Sequence, residues 1–409
     1  MFFKKSKDTE FLNRIKNNNY FCIKNRNIWS MAKTKERNNW LSLEADYDKR
    51  IFGLDLMRAI AIINVVIVHA TFMDDFFPRY PGIRLIPGVE LFFVLSGFLI
   101  GNILIRTYET TSFGCLDIIK FWTRRWFRTL PNYYLVLLLN VIVVYYGLVN
   151  EDFSQFNWRF FFFVQNLYDG FVGFFWESWS LSIEEWFYLS FPIVLFILNL
   201  LLKGTKLKKK NVFLINILIY LSFSFIMRAL FGMDLCINDE FWCEVRINKV
   251  VIYHLDGIAF GLLASYIKYY HSEIWYKSRN ITFIIGLIAN YCVIYANWCG
   301  INWITIVLKV FFQSFGCFLL LPRFETIRTA PIWLKKPITH ISLISYSMYL
   351  INLCLVASVI STNISIHNKA DAIFWLIVYW MTVMVVSTLM YKYYERPIMK
   401  LRDKIKWGK

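Results

Sequence analysis

Apolar stretches long enough to cross a bilayer recur through this chain, and that recurrence confines it to one architecture. In hydrocarbon every backbone N–H and C=O must find its partner within the protein, so long apolar spans are helices. The stretches fall at residues 52–72, 86–106, 130–149, 180–202, 211–231, 250–269, 281–297, 302–321, 341–361 and 373–391. The expected fold class is all-α: a polytopic membrane protein with about ten transmembrane helices. Of 409 residues, 57% are hydrophobic and 39 are Phe, a balance that leaves too little polar surface for a soluble protein. The segment WRFFFFVQNLY at 158–168 is apolar but too short to cross, and reads as an interfacial or re-entrant element.

The formal charge of +17 is not a nucleic-acid footprint, because the basic residues sit in short segments between the apolar runs. Twelve Lys and Arg precede residue 51. Further clusters are Lys120 to Arg128, Lys203 to Lys210, Lys268 to Arg279, Arg323 to Lys336, and the tail after 391. With ten spans all of these fall on one side, while the alternate loops are mostly acidic. The bias places both termini in the cytoplasm. Residues 1–50 read as a basic polar cytoplasmic arm without the apolar run of a cleavable signal peptide. Residues 51–397 form the transmembrane domain, and 398–409 a basic cytoplasmic tail. Membrane lipids are expected partners and nucleic acid is not.

Eight cysteines occur without metal-ligand spacing, and no convergent His/Cys/Asp set suggests a metal. Cys115, Cys292, Cys317 and Cys354 lie in or near apolar runs and read as packing residues. Cys236 and Cys243 share one expected external loop and Cys299 lies in another, so a disulfide among them stays open.

Ionisable residues inside the spans carry the functional signal. Arg58 and His69 are eleven residues apart in GLDLMRAIAIINVVIVHA, which puts them on one helical face about 16 Å apart along the axis. Asp55, three residues before Arg58, is placed to pair with it. Histidine titrates near neutrality and can serve as a general base. Snorkelling by Arg58 and helix pairing by His69 are the structural alternative. In FWTRRWFRTLP at 121–131, Arg125 and Arg128 share a face ahead of Pro131. They read either as interface anchors with Trp122 and Trp126, or as a phosphate clamp. WESWSLSIEEWFYLSFP at 176–192 carries Trp179 and brings Glu184 and Glu185 into or near the membrane, with Glu184 and Tyr188 on one face. Glu184 could orient His69, exchange a proton or bind a sugar hydroxyl; a helix-locking ion pair is the alternative. Ser96 and Gly97, and Gly257 with Gly261, form small-residue packing positions. Ser96 has no base nearby in sequence that would make it a nucleophile. Asp256, near the outer end of its span, is a candidate acceptor-binding residue.

Together these motifs resemble the acyltransferase-3 family of integral membrane O-acyltransferases, many of them ten-helix enzymes that modify surface glycans. The matching pieces are Arg58 with His69, FFVLSGFLI, RRWFRTLP, WSLSIEEWFYLSFP, HLDGIAFG, ISYSMYLIN and the closing YYERP. They run from about residue 50 to 397. The resemblance implies acetyl-CoA as cytoplasmic acyl donor and His69 as catalytic base. It implies Arg58, Arg125 and Arg128 as donor-side residues and Glu184 as an active-site or acceptor-side residue, with Asp256 and Trp179 as further substrate-binding candidates. One departure is Asn352, where a histidine is common in the family. The chain is expected to end without the extracytoplasmic hydrolase-like domain that some members carry. The implied function is transfer of an acetyl group to a hydroxyl of a surface or lipid-linked glycan (O-antigen, capsule or another exopolysaccharide) in a bacterial cytoplasmic (inner) membrane. Glycan-assembly proteins are candidate partners. The rivals are a transporter or flippase of acylated glycans, and transfer of another acyl group such as succinyl.

Overall fold

In the computed structural model, the chain divides into Met1–Glu44 and Ala45–Lys409, and all that follows concerns the second unit. The structure describes residues 50–77, 87–170, 173–235, 245–295 and 303–405, together with Leu43 and Tyr47. Cys236, Cys243 and Cys299, and nearly all of the basic arm, lie outside these residues.

Among the described residues the regular structure is entirely helical. The helices are α1 (Phe52–His69), α2 (Gly88–Thr110), α3 (Cys115–Tyr145), α4 (Ser178–Leu201), α5 (Lys209–Leu235) and α6 (Asp256–Tyr270). There follow α7 (Ser272–Tyr295), α8 (Trp303–Thr326), α9 (Ile332–Ile351), a π-helical turn (Asn352–Ala357) and α10 (Ser358–Asn363). The chain closes with α11 (Lys369–Met390), a second π-helical turn (Tyr391–Glu395) and α12 (Arg396–Arg402).

Eight helical segments of the described residues are long and apolar enough to cross a membrane. They match eight of the ten expected spans, and the protein is a multi-pass membrane protein. The expected spans at 250–269 and 281–297 correspond to α6 and α7, which are not among the eight. With 15 residues α6 extends only about 22 Å, less than a hydrocarbon core. Asp256 through Leu262 are all buried, so α6 is surrounded by protein. Helix α7 turns Ile281, Ile284, Ile285 and Ile288 outward, a helical stripe suited to lipid.

The core forms where α2 crosses α6. A Cβ on Gly97 would come within 2.0 Å of the Ile258 carbonyl oxygen, and one on Gly261 within 2.1 Å of the Val94 oxygen. Only glycine permits backbones this close, and close approach supplies the dispersion contacts that hold helices together in lipid. Phe93, Ile100, Leu104, Ile258 and Leu262 pack around the crossing.

One local expectation changes. The loop expected around 107–128 and the span at 130–149 are largely one helix, α3, which continues through Pro131. Proline removes one helical hydrogen bond, and polar groups of neighbouring helices gather there as membrane proteins require. Tyr346 and Tyr394 donate their hydroxyls to the carbonyls of Thr129 and Pro131 at 2.8 and 3.3 Å. The segment 158–168 is not helical beyond a short turn at Trp158–Phe161. Tyr133, Tyr134 and Trp186 donate to the carbonyls of Phe160, Phe161 and Phe163, so its irregular backbone is satisfied by protein.

Candidate active site

Helices α1, α2, α3, α4 and α9 enclose a cavity of about 420 Å³. Arg58, Arg125, Arg128 and Glu184 all line it. Four residues singled out on three separate sequence segments therefore meet in one place. The rest of the wall is largely apolar, with Val89, Phe92, Phe93, Leu99, Ile100 and Ile103, and it carries the hydroxyls of Ser96, Ser180 and Tyr349.

Each cation is held differently. Arg58 donates to Ser342 Oγ at 3.1 Å and lies 3.7 Å from Asp55. The expected Asp55 partner is thus present but loose. Asp55 is instead gripped by Nε and Nη2 of Arg50, at 2.7 and 2.5 Å, and accepts from Ser342 at 2.8 Å. Arg125 lies over the Tyr188 ring, 4.3 Å from its centroid. Its buried Nε has no hydrogen-bond partner. Neither Arg125 nor Arg128 makes an ion pair with a carboxylate among the described residues. Glu184 accepts from Tyr188 at 2.8 Å and from Ser96 at 3.4 Å, so the expected shared face of Glu184 and Tyr188 is occupied as a bonded pair. An excess of guanidinium over carboxylate on an otherwise apolar wall suits an anionic ligand with an apolar arm.

His69 ends α1 but is not on the wall of this cavity. Its Nδ1 lies 2.6 Å from Asn352 Oδ1. The Asn352 amide nitrogen donates to the carbonyls of Met348 and Tyr349 at 2.8 and 2.7 Å, which turns its oxygen towards His69. That oxygen only accepts, so Nδ1 carries the proton and the neutral ring keeps its lone pair on Nε2, the tautomer a base needs. The link back to the cavity is Tyr349, whose carbonyl holds Asn352 while its hydroxyl meets Ser180 Oγ at 2.6 Å. Asn352 opens the first π-helical turn, a distortion found often at functional sites. The position was visible in the sequence only as a departure; its contact with His69, 283 residues away, had no local signal.

Asp256 and Trp179 are not brought to the cavity. Asp256 is wholly buried in a two-pronged pair with Arg228, at 2.9 and 2.5 Å. Arg228 in the middle of an apolar run was the overlooked signal. Trp179 packs on Phe93 and His254, and His254 pairs with Glu90 at 2.7 Å. The cysteine expectation is corrected in part: Cys317 is buried, but Cys115 and Cys292 are exposed. Cys354 is buried against carboxylates rather than packed among apolar groups. Its Sγ donates to Glu177 at 2.6 Å and lies 3.0 Å from Glu151. Among the described residues no group of His, Cys, Asp and Glu could hold a metal ion.

A family model described as an acyltransferase domain, that of the acyltransferase-3 family, matches residues 51–392, and the chain belongs to that family. A peptidoglycan O-acetyltransferase, OatA, of Listeria monocytogenes is 32% identical over 180 residues, 40% of this chain and 27% of the relative. The O-acetyltransferase OatA of Staphylococcus aureus is 34% identical over 174 residues, 37% of this chain and 26% of the relative. The chain thus spans about a quarter of the length of these relatives. No solved structure matches the chain.

Proposed function

We propose that the protein is an O-acetyltransferase of the bacterial cytoplasmic membrane, with both termini in the cytoplasm. It transfers an acetyl group from cytoplasmic acetyl-CoA to a hydroxyl of a surface or lipid-linked glycan. The observation that carries this reading is the cavity in which Arg58, Arg125 and Arg128 meet an apolar wall beside Glu184, with Arg125 Nε unsatisfied. The phosphates of CoA suit guanidinium geometry, and its uncharged pantetheine arm suits the apolar wall. Family membership and the relatives' names support acyl transfer to oxygen. The name of the Listeria relative supports a cell-wall glycan as acceptor.

In this reading the nucleotide end stays at the arginines and the thioester is carried towards Tyr349 and His69. His69 Nε2 takes the proton of the acceptor hydroxyl as its oxygen attacks the acyl carbon. Polar donors nearby stabilise the tetrahedral oxyanion. The C–S bond then breaks, the new ester leaves on the glycan, and the imidazolium returns the proton to the CoA thiolate. Passage through a covalent acyl-enzyme is the variant of this scheme, and it predicts a burst of CoA release without acceptor.

The test uses purified protein in lipid vesicles with radiolabelled acetyl-CoA and a soluble peptidoglycan fragment. Label transferred to the glycan by the wild type, and lost in His69→Ala at equal folded protein, is the expected result. Equal transfer by both proteins would remove His69 as base. No transfer by the wild type to that fragment or to other surface glycans would overturn the reading.

A further inference from the structure

A second, polar cleft opens at the far end of α3. Its volume is about 680 Å³, and Asn150, Glu151, Trp176, Ser358, Ser361 and Thr362 line it. Val144 of α3 also reaches it, whereas Arg125 and Arg128 of the same helix line the cavity described above. From Arg128 to Val144 the helix rises about 24 Å. The first recess therefore lies near the middle of α3 and the second at its C-terminal end, offset along the helix as a donor and an acceptor arriving from opposite sides require.

The walls of the cleft are tied together. The backbone N–H of Asn150 donates to Thr362 Oγ1 at 3.3 Å, and Asn363 donates to the Leu148 carbonyl at 2.7 Å. The indole of Trp176 is half-buried and carries the Lys249 ammonium 4.7 Å from its ring. Glu151 joins the cleft to the interior. One of its oxygens accepts from the Phe175 N–H at 3.0 Å, and the other faces Cys354 Sγ at 3.0 Å. Cys354 lies in the same π-helical turn as Asn352, the partner of His69. The floor of the cleft and the orientation of His69 thus share one short piece of backbone.

We propose that this cleft binds the saccharide acceptor and delivers its hydroxyl towards His69. The inference rests on the acetyl-transfer reading and adds a site to it. An aromatic wall with several hydroxyl, amide and carboxylate groups matches the chemistry of a sugar, whose ring offers C–H faces and a rim of hydroxyls that both donate and accept. A nucleotide or other polyanion fits less well, because Glu151 is on the wall and, among the described residues, no arginine lines it.

The test uses the full chain in lipid nanodiscs with chitotetraose as the probe. Calorimetric titration is run on the wild type, on Trp176→Ala, and on Asn150→Ala with Thr362→Val, both exposed positions. Acetyl-CoA binding is measured on the same samples. The expected result is saturable chitotetraose binding by the wild type, weakened tenfold or more in the variants, with acetyl-CoA affinity unchanged. If Trp176→Ala does not fold, the Asn150 and Thr362 variant gives the same reading. Absence of wild-type binding, or equal affinity in wild type and folded variants, would overturn the site. Failure of the parent reading looks different: sugar binding that depends on the cleft, with no acetyl transfer by the wild type.

Discussion

Replacing Asn352 by Leu keeps the branching and heavy-atom count of the side chain and removes the oxygen that accepts from His69 Nδ1. The bond is 2.6 Å long and buried on the asparagine side. A hydrogen bond of this kind is worth about 1–1.5 kcal/mol net. Losing it removes the acceptor that fixes the proton on Nδ1. At 1.36 kcal/mol per factor of ten, kcat for acetyl transfer is expected to fall roughly tenfold. Removing His69 itself removes the proposed base, for which a loss of about 10²- to 10⁴-fold is expected. The arginines are untouched, so the dissociation constant for acetyl-CoA stays at the wild-type value. The assay is steady-state transfer to a soluble glycan by four proteins: wild type, Asn352→Leu, His69→Ala and the double variant. A positioning role predicts that Asn352→Leu costs nothing further once His69 is gone. Multiplicative losses in the double variant, or an unchanged kcat in a folded Asn352→Leu protein, would refute the reasoning.

Other outcomes follow from the same geometry. Arg125→Leu should raise the KM for acetyl-CoA at least tenfold with a smaller change in glycan KM, measured by initial rates at varied donor and acceptor. Asp256→Ala leaves Arg228 buried and unpaired, and should destabilise the fold by about 3–5 kcal/mol, read as a lowered thermal midpoint in detergent. Arg228→Met with Asp256→Leu removes both charges and should recover much of that loss. Gly261→Val drives a side chain into the Val94 carbonyl and the Gly97 backbone, so it should abolish accumulation of folded protein, seen as loss of the monodisperse peak in size-exclusion chromatography.

How much was legible in the sequence depended on whether the signal was local. Hydropathy over twenty residues located eight segments that the structure makes long apolar helices. The remaining two expected spans correspond to α6 and α7, which are not among those eight. The charge of Arg58, Arg125, Arg128 and Glu184 stood out because each is costly in an apolar setting, but only the family resemblance, not the residues by themselves, grouped them in one site. Asp256 had the same kind of signal, but its partner Arg228 lies on another helix, so the buried pair became visible only with the fold. The cost of Pro131 in a helix is local and legible in the sequence, while the tyrosines gathered around it come from distant segments. For the same reason the contacts of His69 with Asn352 and of Cys354 with Glu151 and Glu177 became visible only with the fold.

The most direct measurement of the central claim is acetyl transfer by purified protein in vesicles. Labelled acetyl-CoA is supplied on one side and the glycan recovered from the other, for wild type and His69→Ala at matched folded amounts. The account predicts labelled ester on the glycan with the wild type and a loss of at least a hundredfold with His69→Ala. Equal labelling by both proteins, or glycan that stays unlabelled with the wild type, would contradict it.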